Sequence, residues 1–361
     1  MTERSRTPLT IVLIGYVHGR GGIQTHTRFL AEGLSQRGHE VHVFSPRPMA
    51  EHGHVDENSD VQVYQGIRNL SRGIREVKPD VTVVVGTGWK AMLGVVAGAR
   101  RCHKIFFEVM SGARSRWFDP RMLVHMGFDA IVGQGTPVTR RFVKEFGWQG
   151  PAETIPALPE PLERQFEIPA RKRTAIAEGV RFVYFGRLAP PKNVGLLIER
   201  FDEFACTEST LDIWGGGSDA GKLAEMIVER GLGNRVKLRG PYPEGQAYIA
   251  LLQSYDLLLL PTIAEEGAPL VLLEAMACGL PFVANGMGGI PDYANPDCEI
   301  TDGSISDFIP GVKNMVTRLR AGDIDPVRLQ THYARNYSFD RLIDRWDMFL
   351  GKCHKASDTS T

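Results

Sequence analysis

The 361-residue chain balances 42 Lys and Arg against 42 Asp and Glu, which argues against a whole-protein electrostatic footprint for nucleic acid. With 43% hydrophobic and 23% charged residues and no apolar run long enough to cross a bilayer, it reads as a globular chain of two domains, each able to bury its own core. Cys102, Cys206, Cys278, Cys298 and Cys353 show neither CxxC nor Cys/His ligand spacing, so thiols are expected, and neither a disulfide framework nor a zinc site.

The opening MTERSRTPLT leads straight into a strand-like run at residues 11–14 without a signal-peptide h-region, and a cytoplasmic protein is expected. Strand-like and helical patterns then alternate: LTIVLIG, THTRFLAEGLSQRG, HEVHVFS, a helix near residues 66–78, VTVVVG, and short apolar runs at 104–107 and 130–132. Each run is apolar throughout, as in a parallel sheet covered by helices on both faces. Residues 150–178 are rich in proline and charge and read as a linker. Alternation restarts with VRFVYFG, a helix over 194–206, LDIWGGG, a helix over 221–230, VKLRG, a helix over 244–254, DLLLLP, a helix over 269–278, and PFVAN. The last periodic segment is near residues 339–353.

The stretch PTIAEEGAPLVLLEAMACGLPFVANGMGGIPDY, residues 261–293, places Glu266 and Glu274 around a strand-to-helix junction. A helix opening at residues 268–272 aims free backbone N–H groups and the positive end of its dipole outside the strand ends, where a phosphate is favoured. Glu274, inside the helix, then suits ribose hydroxyls, and Glu266, ahead of it, sugar hydroxyls; two surface glutamates on an amphipathic helix are the plainer reading. In YFGRLAPPKN, residues 184–193, Gly186 precedes Arg187 and Lys192, two cations at a strand's carboxyl end that suit a diphosphate or are simply solvated. Past the first strand, Gly21 and Gly22 open a helix and let backbone approach a ligand without Cβ atoms. Gln24 and His26, in its first turns, fit either ligand contact or packing.

Together YFGRLAPPKN, IWGGGSDAGKL, VKLRGPYP, LLLLPTIAEEGAPLVLLEAMACGLPFVA and GGIPD resemble the large retaining glycosyltransferase family four. The resemblance covers the chain in outline and its C-terminal half in motif detail. It implies an α/β GT-B fold of two Rossmann-like doubly wound parallel-sheet domains facing a central cleft. An acceptor domain is expected over residues 1–165, a donor domain over 175–337, and a C-terminal helix, 338–355, returning to the first. The implied activity is transfer of a sugar from a nucleotide diphosphate sugar to a hydroxyl of a small molecule, glycan or lipid-linked sugar. Arg187 and Lys192 would bind the diphosphate, Glu274 the ribose and Glu266 the transferred sugar. Gly186, Gly216, Gly267, Ala268, Pro269, Leu270 and Val271 would support the donor, Gly21 and Gly22 its phosphates, and Gln24 and His26 the acceptor. The family often carries a histidine after the fourth strand of the first domain; here KIFFEVMSG offers Glu108, which is assigned a contact with sugar or acceptor. The same departure supports a competing class, a non-catalytic or weakly active nucleotide-sugar-binding protein acting as a partner or scaffold. No metal or other cofactor is implied, because the two cations can neutralise the leaving group. Oligomeric state is open.

GGSDAGKL, residues 216–223, imitates a P-loop but has Leu223 where a Ser or Thr would touch Mg²⁺, so a tight turn beside the donor is expected. Gly15, Gly19 and Gly21 imitate a dinucleotide loop, yet FSPRP supplies no acid at the end of the second strand. Asp323 and Asp325 are expected to cap a helix or stabilise a loop. Residues 112–128 mix Arg114, Arg116 and Arg121 with Trp117, Phe118, Met122 and Leu123, which suits either peripheral contact with an inner membrane face or ordinary helix packing.

Overall fold

The computed structural model describes residues 7–19, 21–46, 61–86, 88–99, 101–114, 119–172, 175–176 and 178–358. They form two compact units, one of residues up to 160 together with 339 onward, the other of residues 161–338.

The first unit is built on a parallel sheet of β1 (Thr10–Ile14), β2 (Glu40–Pro46), β3 (Val61–Tyr64), β4 (Val81–Val85), β5 (His103–Glu108), β6 (Ala130–Gly133) and β7 (Ala152–Thr154), ordered β3-β2-β1-β4-β5-β6-β7. Side-chain alternation divides β1 between two cores. Ile11 and Leu13 pack with Phe29, Leu30 and Leu34 of helix Gly22–Gln36, whereas Val12 and Ile14 pack with Leu70 and Ile74 of helix Gly66–Val77. The C-terminal helix Phe339–Asp358 closes the first of these cores through Phe339, Leu342, Ile343 and Trp346. Gly33 makes that approach possible, since a Cβ there would sit 2.2 Å from Ile343 Cδ1. Arg37 ties the two helices with hydrogen bonds to Asp340 (3.1 Å) and Asp344 (2.8 Å).

The second unit is a parallel sheet of β8 (Arg181–Phe185), β9 (Thr210–Trp214), β10 (Val236–Gly240), β11 (Leu257–Leu260), β12 (Phe282–Asn285) and β13 (Glu299–Thr301), ordered β10-β9-β8-β11-β12-β13. The order reverses between β8 and β11, which pair directly through Leu257 with Phe182 and Leu258 with Val183. In doubly wound sheets a ligand crevice opens outside the carboxyl ends of the strands at such a reversal.

Some segments depart from the sequence reading, and one bears on an alternative it left open. Residues 150–178 contain β7 and the helical turn Leu162–Gln165; β7 is a three-residue edge strand with no buried side chain, so it carries no apolar period. The helix expected over 194–206 is two short helices, Gly195–Glu199 and Phe201–Phe204, separated at Arg200. Within residues 112–128, Arg116, Trp117 and Phe118 lie outside the described residues, while Met122 and Leu123 pack on the first unit's core, in keeping with the packing alternative. Asp325 caps helix Pro326–Asn336 by accepting from the Val327 and Arg328 amides. Among the described residues no helix is long and apolar enough to cross a membrane.

Candidate active site

Because β8 and β11 are parallel neighbours, the loops that follow them emerge side by side. The β8 loop is shaped by close backbone contacts. The Tyr184 hydroxyl donates to the Arg187 carbonyl at 3.0 Å, and Leu188 N–H donates to the Gly216 carbonyl at 2.9 Å. Gly215 and Gly217, in the loop after β9, are glycine because a Cβ would fall 1.9 Å from the Gly186 carbonyl oxygen and 2.1 Å from that of Leu188. Gly216 between them faces open space, and Ala220 N–H donates to the Gly217 carbonyl at 3.2 Å, closing a turn that braces the β8 loop. A 3₁₀ turn, Pro190–Lys192, presents Lys192 and ends at Asn193 in the left-handed region (φ 51°).

The β8 and β11 loops meet at a charge pair, in which the Lys192 ammonium contacts Glu266 Oε1. Their side chains remain 20% and 17% exposed. Thr262 Oγ1 lies 2.9 Å from the same carboxylate oxygen and 3.1 Å from the Pro191 carbonyl, its single proton serving one of these acceptors. Asn285, at the end of β12, donates to the Thr262 carbonyl at 3.0 Å and accepts from Thr301 Oγ1 at 2.7 Å. Gly289 N–H donates to the Glu266 carbonyl at 2.8 Å, and a Cβ on Gly288 would collide with that carbonyl oxygen at 1.9 Å, so GGIPD clamps the Glu266 backbone. Arg187 is exposed on the adjoining turn.

Helix Leu270–Ala277 starts here with Pro269 at its cap. Its start lies two residues beyond the expected 268, because Pro269 adopts an extended ψ of 107°. Leu272 N–H makes the first bond back, to the Pro269 carbonyl, so the amides ahead of it belong to the free end where the helix dipole is positive. Gly267, Ala268, Pro269, Leu270 and Val271 are all half-buried there. Glu274 is the single charged residue in the helix sequence LVLLEAMA, and its Oε2 accepts from the Tyr248 hydroxyl at 2.8 Å. Thr262 and Tyr248 carry no such signal in the sequence, because one threonine after a leucine run and one tyrosine on an apolar helix face both read as core. Among the described residues no group of three or more His, Cys, Asp and Glu side chains is arranged to hold a metal ion.

In the first unit Gly21 caps helix Gly22–Gln36 without a side-chain hydrogen bond, and the Gln24 amide oxygen folds back to within 2.5 Å of where a Gly21 Cβ would stand. Gly21 and Gly22 are exposed and Gln24 half-buried. His26 and Glu108 depart from the roles expected of them. His26 is 0% exposed, accepts from the Leu158 amide at 3.0 Å and stacks on Phe107 with ring centroids 4.4 Å apart. Burial lowers its pKa from 6.5 to about 3, which favours the neutral ring; Nδ1 is taken by Leu158, while Nε2 is buried without a hydrogen-bond partner among the described residues. Glu108 is 1% exposed and both its carboxylate oxygens are bonded, one to the Met110 amide at 2.7 Å and the other to the Arg121 guanidinium at 3.0 Å. Burial pushes its carboxyl up while Arg121 pulls it down. Arg121 also pairs with Asp119 at 2.7 Å, so the expected sugar contact is replaced by a desolvated ion network inside the unit.

Residues 20–156 match the family described as Glycosyltransferase Family 4, and residues 179–316 match Glycosyl transferases group 1. The chain belongs to the family 4 glycosyltransferases. This glycosyltransferase is 27% identical to a GDP-mannose-dependent alpha-(1-6)-phosphatidylinositol monomannoside mannosyltransferase of Mycolicibacterium smegmatis, over 86% of this chain and 87% of that protein. It is 26% identical to the GtfA subunit of a UDP-N-acetylglucosamine–peptide N-acetylglucosaminyltransferase of Streptococcus parasanguinis over 54% of this chain, and spans 39% of that subunit's length. The structure of Anabaena HepE in complex with UDP shares its fold with a TM-score of 0.75 at 15% identity, covering 95% of this chain and 100% of that one. The glycosyltransferase thus has the two parallel-sheet α/β domains of GT-B proteins.

Proposed function

We propose that this glycosyltransferase moves a sugar from a nucleoside diphosphate sugar to an acceptor hydroxyl with retention of anomeric configuration, in glycan, glycolipid or specialised-metabolite assembly. The observation that carries the reading is the Lys192–Glu266 pair beside the free end of helix Leu270–Ala277, at the sheet's topological reversal. A cation and a helix amino end stabilise negative charge on a departing diphosphate, and Arg187 on the adjoining turn adds a second cation. A diphosphate arriving at Lys192 competes with Glu266 for its ammonium, which leaves the carboxylate to accept hydrogen bonds from sugar hydroxyls. Glu274 accepts from the ribose. The UDP bound to HepE and the GDP-mannose dependence of the mycobacterial relative support a nucleoside diphosphate donor.

In this mechanism the anomeric C–O bond to the diphosphate breaks as the acceptor oxygen approaches the same face, and the acceptor proton passes to the leaving phosphate oxygen. The protein supplies position and charge, with no covalent nucleophile. Arg187 and Lys192 take the neutralising role a divalent cation has elsewhere, so turnover should persist in EDTA. The test is to incubate the purified protein with UDP-, GDP- and ADP-sugars and a panel of small-molecule, glycan and lipid-linked acceptors. Nucleoside diphosphate release is measured and the product anomer read by NMR. Release with an anomer matching the donor is expected; no release from any pair would sink the transferase reading, and an inverted anomer would sink retention.

A further inference from the structure

We propose that Tyr248 is a positioning residue, fixing the Glu274 carboxylate in the orientation that reads the donor ribose. The inference rests on the role given to Glu274 above. Glu274 is half-buried in an otherwise apolar helix, and a glutamate's terminal torsion is broad and roughly two-fold unless a partner holds it. Here the Tyr248 hydroxyl, 2.8 Å from Oε2, holds that oxygen. That hydroxyl is itself rigidly placed, since Tyr248 is 4% exposed in helix Gly245–Gln253. Its ring stacks on Tyr242 (centroids 5.1 Å apart, 26° between planes) and meets Phe185, the last residue of β8, edge-on at 5.6 Å. Burial pushes the phenol well above its ordinary pKa, so it remains a proton donor and the carboxylate the acceptor.

A vicinal diol donates two hydrogen bonds, and a carboxylate meets both only if its plane is held. The phenol therefore tunes the site for ribonucleoside over 2′-deoxyribonucleoside diphosphates without touching either. A packing role alone would make Tyr248 matter for stability and leave that discrimination unaltered.

The full chain is titrated calorimetrically with UDP, GDP and ADP and their 2′-deoxy counterparts, and the tightest-binding pair is carried into the variants. Wild type should prefer the ribonucleotide by about tenfold, the value of one hydrogen bond to a charged group. Glu274→Ala should abolish the preference, and Tyr248→Phe should reduce it to about threefold with deoxyribonucleotide affinity unchanged. The double variant should match Glu274→Ala. Tyr255→Phe is the control for lost buried hydroxyls. Its hydroxyl belongs to the same aromatic cluster but bonds Asp212 and Trp214, so the preference should survive. Full preference in Tyr248→Phe, or equal weakening of both nucleotides, overturns the positioning role. A wild type without ribose preference, or a Glu274→Ala variant that keeps it, fails at the donor assignment itself, and this inference goes with it.

Discussion

The candidate site residues of the two units are held in opposite ways. In the second, Lys192 and Glu266 bond mainly to each other across two loops and keep about a fifth of their side-chain surface in water. In the first, Glu108 is sealed in with Arg121 and Asp119, and His26 is sealed between Phe107 and the Leu158 backbone. A half-solvated pair can exchange one partner for a ligand at modest cost, whereas a desolvated group cannot leave its partner without stranding a buried charge. Of these candidate residues, the ones free to exchange a partner for a ligand are therefore those of the β8 and β11 loops.

Four substitutions probe that contrast. Arg121→Met should have the largest effect, a loss of about 3–5 kcal/mol in stability, because it leaves Glu108 and Asp119 buried without their cation. Denaturant unfolding reads it, and a loss below about 1 kcal/mol would return Glu108 to the list of accessible carboxylates. Glu274→Ala should cost roughly a hundredfold in kcat/KM, as several hydrogen bonds to a charged acceptor disappear, with a stability loss of only about 1–3 kcal/mol from the Tyr248 hydroxyl left without its acceptor. Unaltered kinetics would remove Glu274 from the site.

Gly33→Ala should destabilise by about 1–3 kcal/mol through overpacking, because the new Cβ would lie 2.2 Å from Ile343 Cδ1 and 2.9 Å from Phe339 Cζ. Its donor affinity should match wild type, so a loss of donor affinity without loss of stability would break the separation of scaffold from site. The last effect is a pH slope, small across any single pH unit. His26 has a folded pKa of about 3 against an ordinary 6.5, so the unfolded chain binds its proton first. Its contribution to stability is complete above pH 6.5 and falls, by about 1.4 kcal/mol per pH unit, as pH drops from there toward 3. Melting curves of wild type and His26→Gln should converge as the pH falls through this window; parallel curves would show that His26 is not buried neutral.

Much of this architecture is legible in the sequence, since continuous apolar runs such as VTVVV and LLLL become central strands buried on both faces. What escapes is set by the sheet edges and by tertiary partners. VQVY (β3) and AET (β7) are short edge strands whose pairing comes from a neighbour and not from their own pattern. At the site, Arg187, Lys192, Glu266 and Glu274 announce themselves as charges amid glycine and apolar residues. Thr262 and Tyr248 do not, because their relevance depends on a carboxylate that only folding brings to them. Conversely, Glu108 and His26 look available in a linear string, and only the Arg121 and Leu158 contacts reveal that they are already engaged.

The central claim, that Lys192 in the loop after β8 receives a diphosphate, is tested most directly by calorimetric titration of wild type and Lys192→Ala with the nucleoside mono- and diphosphates of uridine, guanosine and adenosine. For the preferred base, wild type should bind the diphosphate about tenfold or more tightly than the monophosphate. In Lys192→Ala that gap should shrink to about threefold, the remainder from Arg187 and the helix end, with the melting temperature preserved. An undiminished gap in the variant would contradict the account.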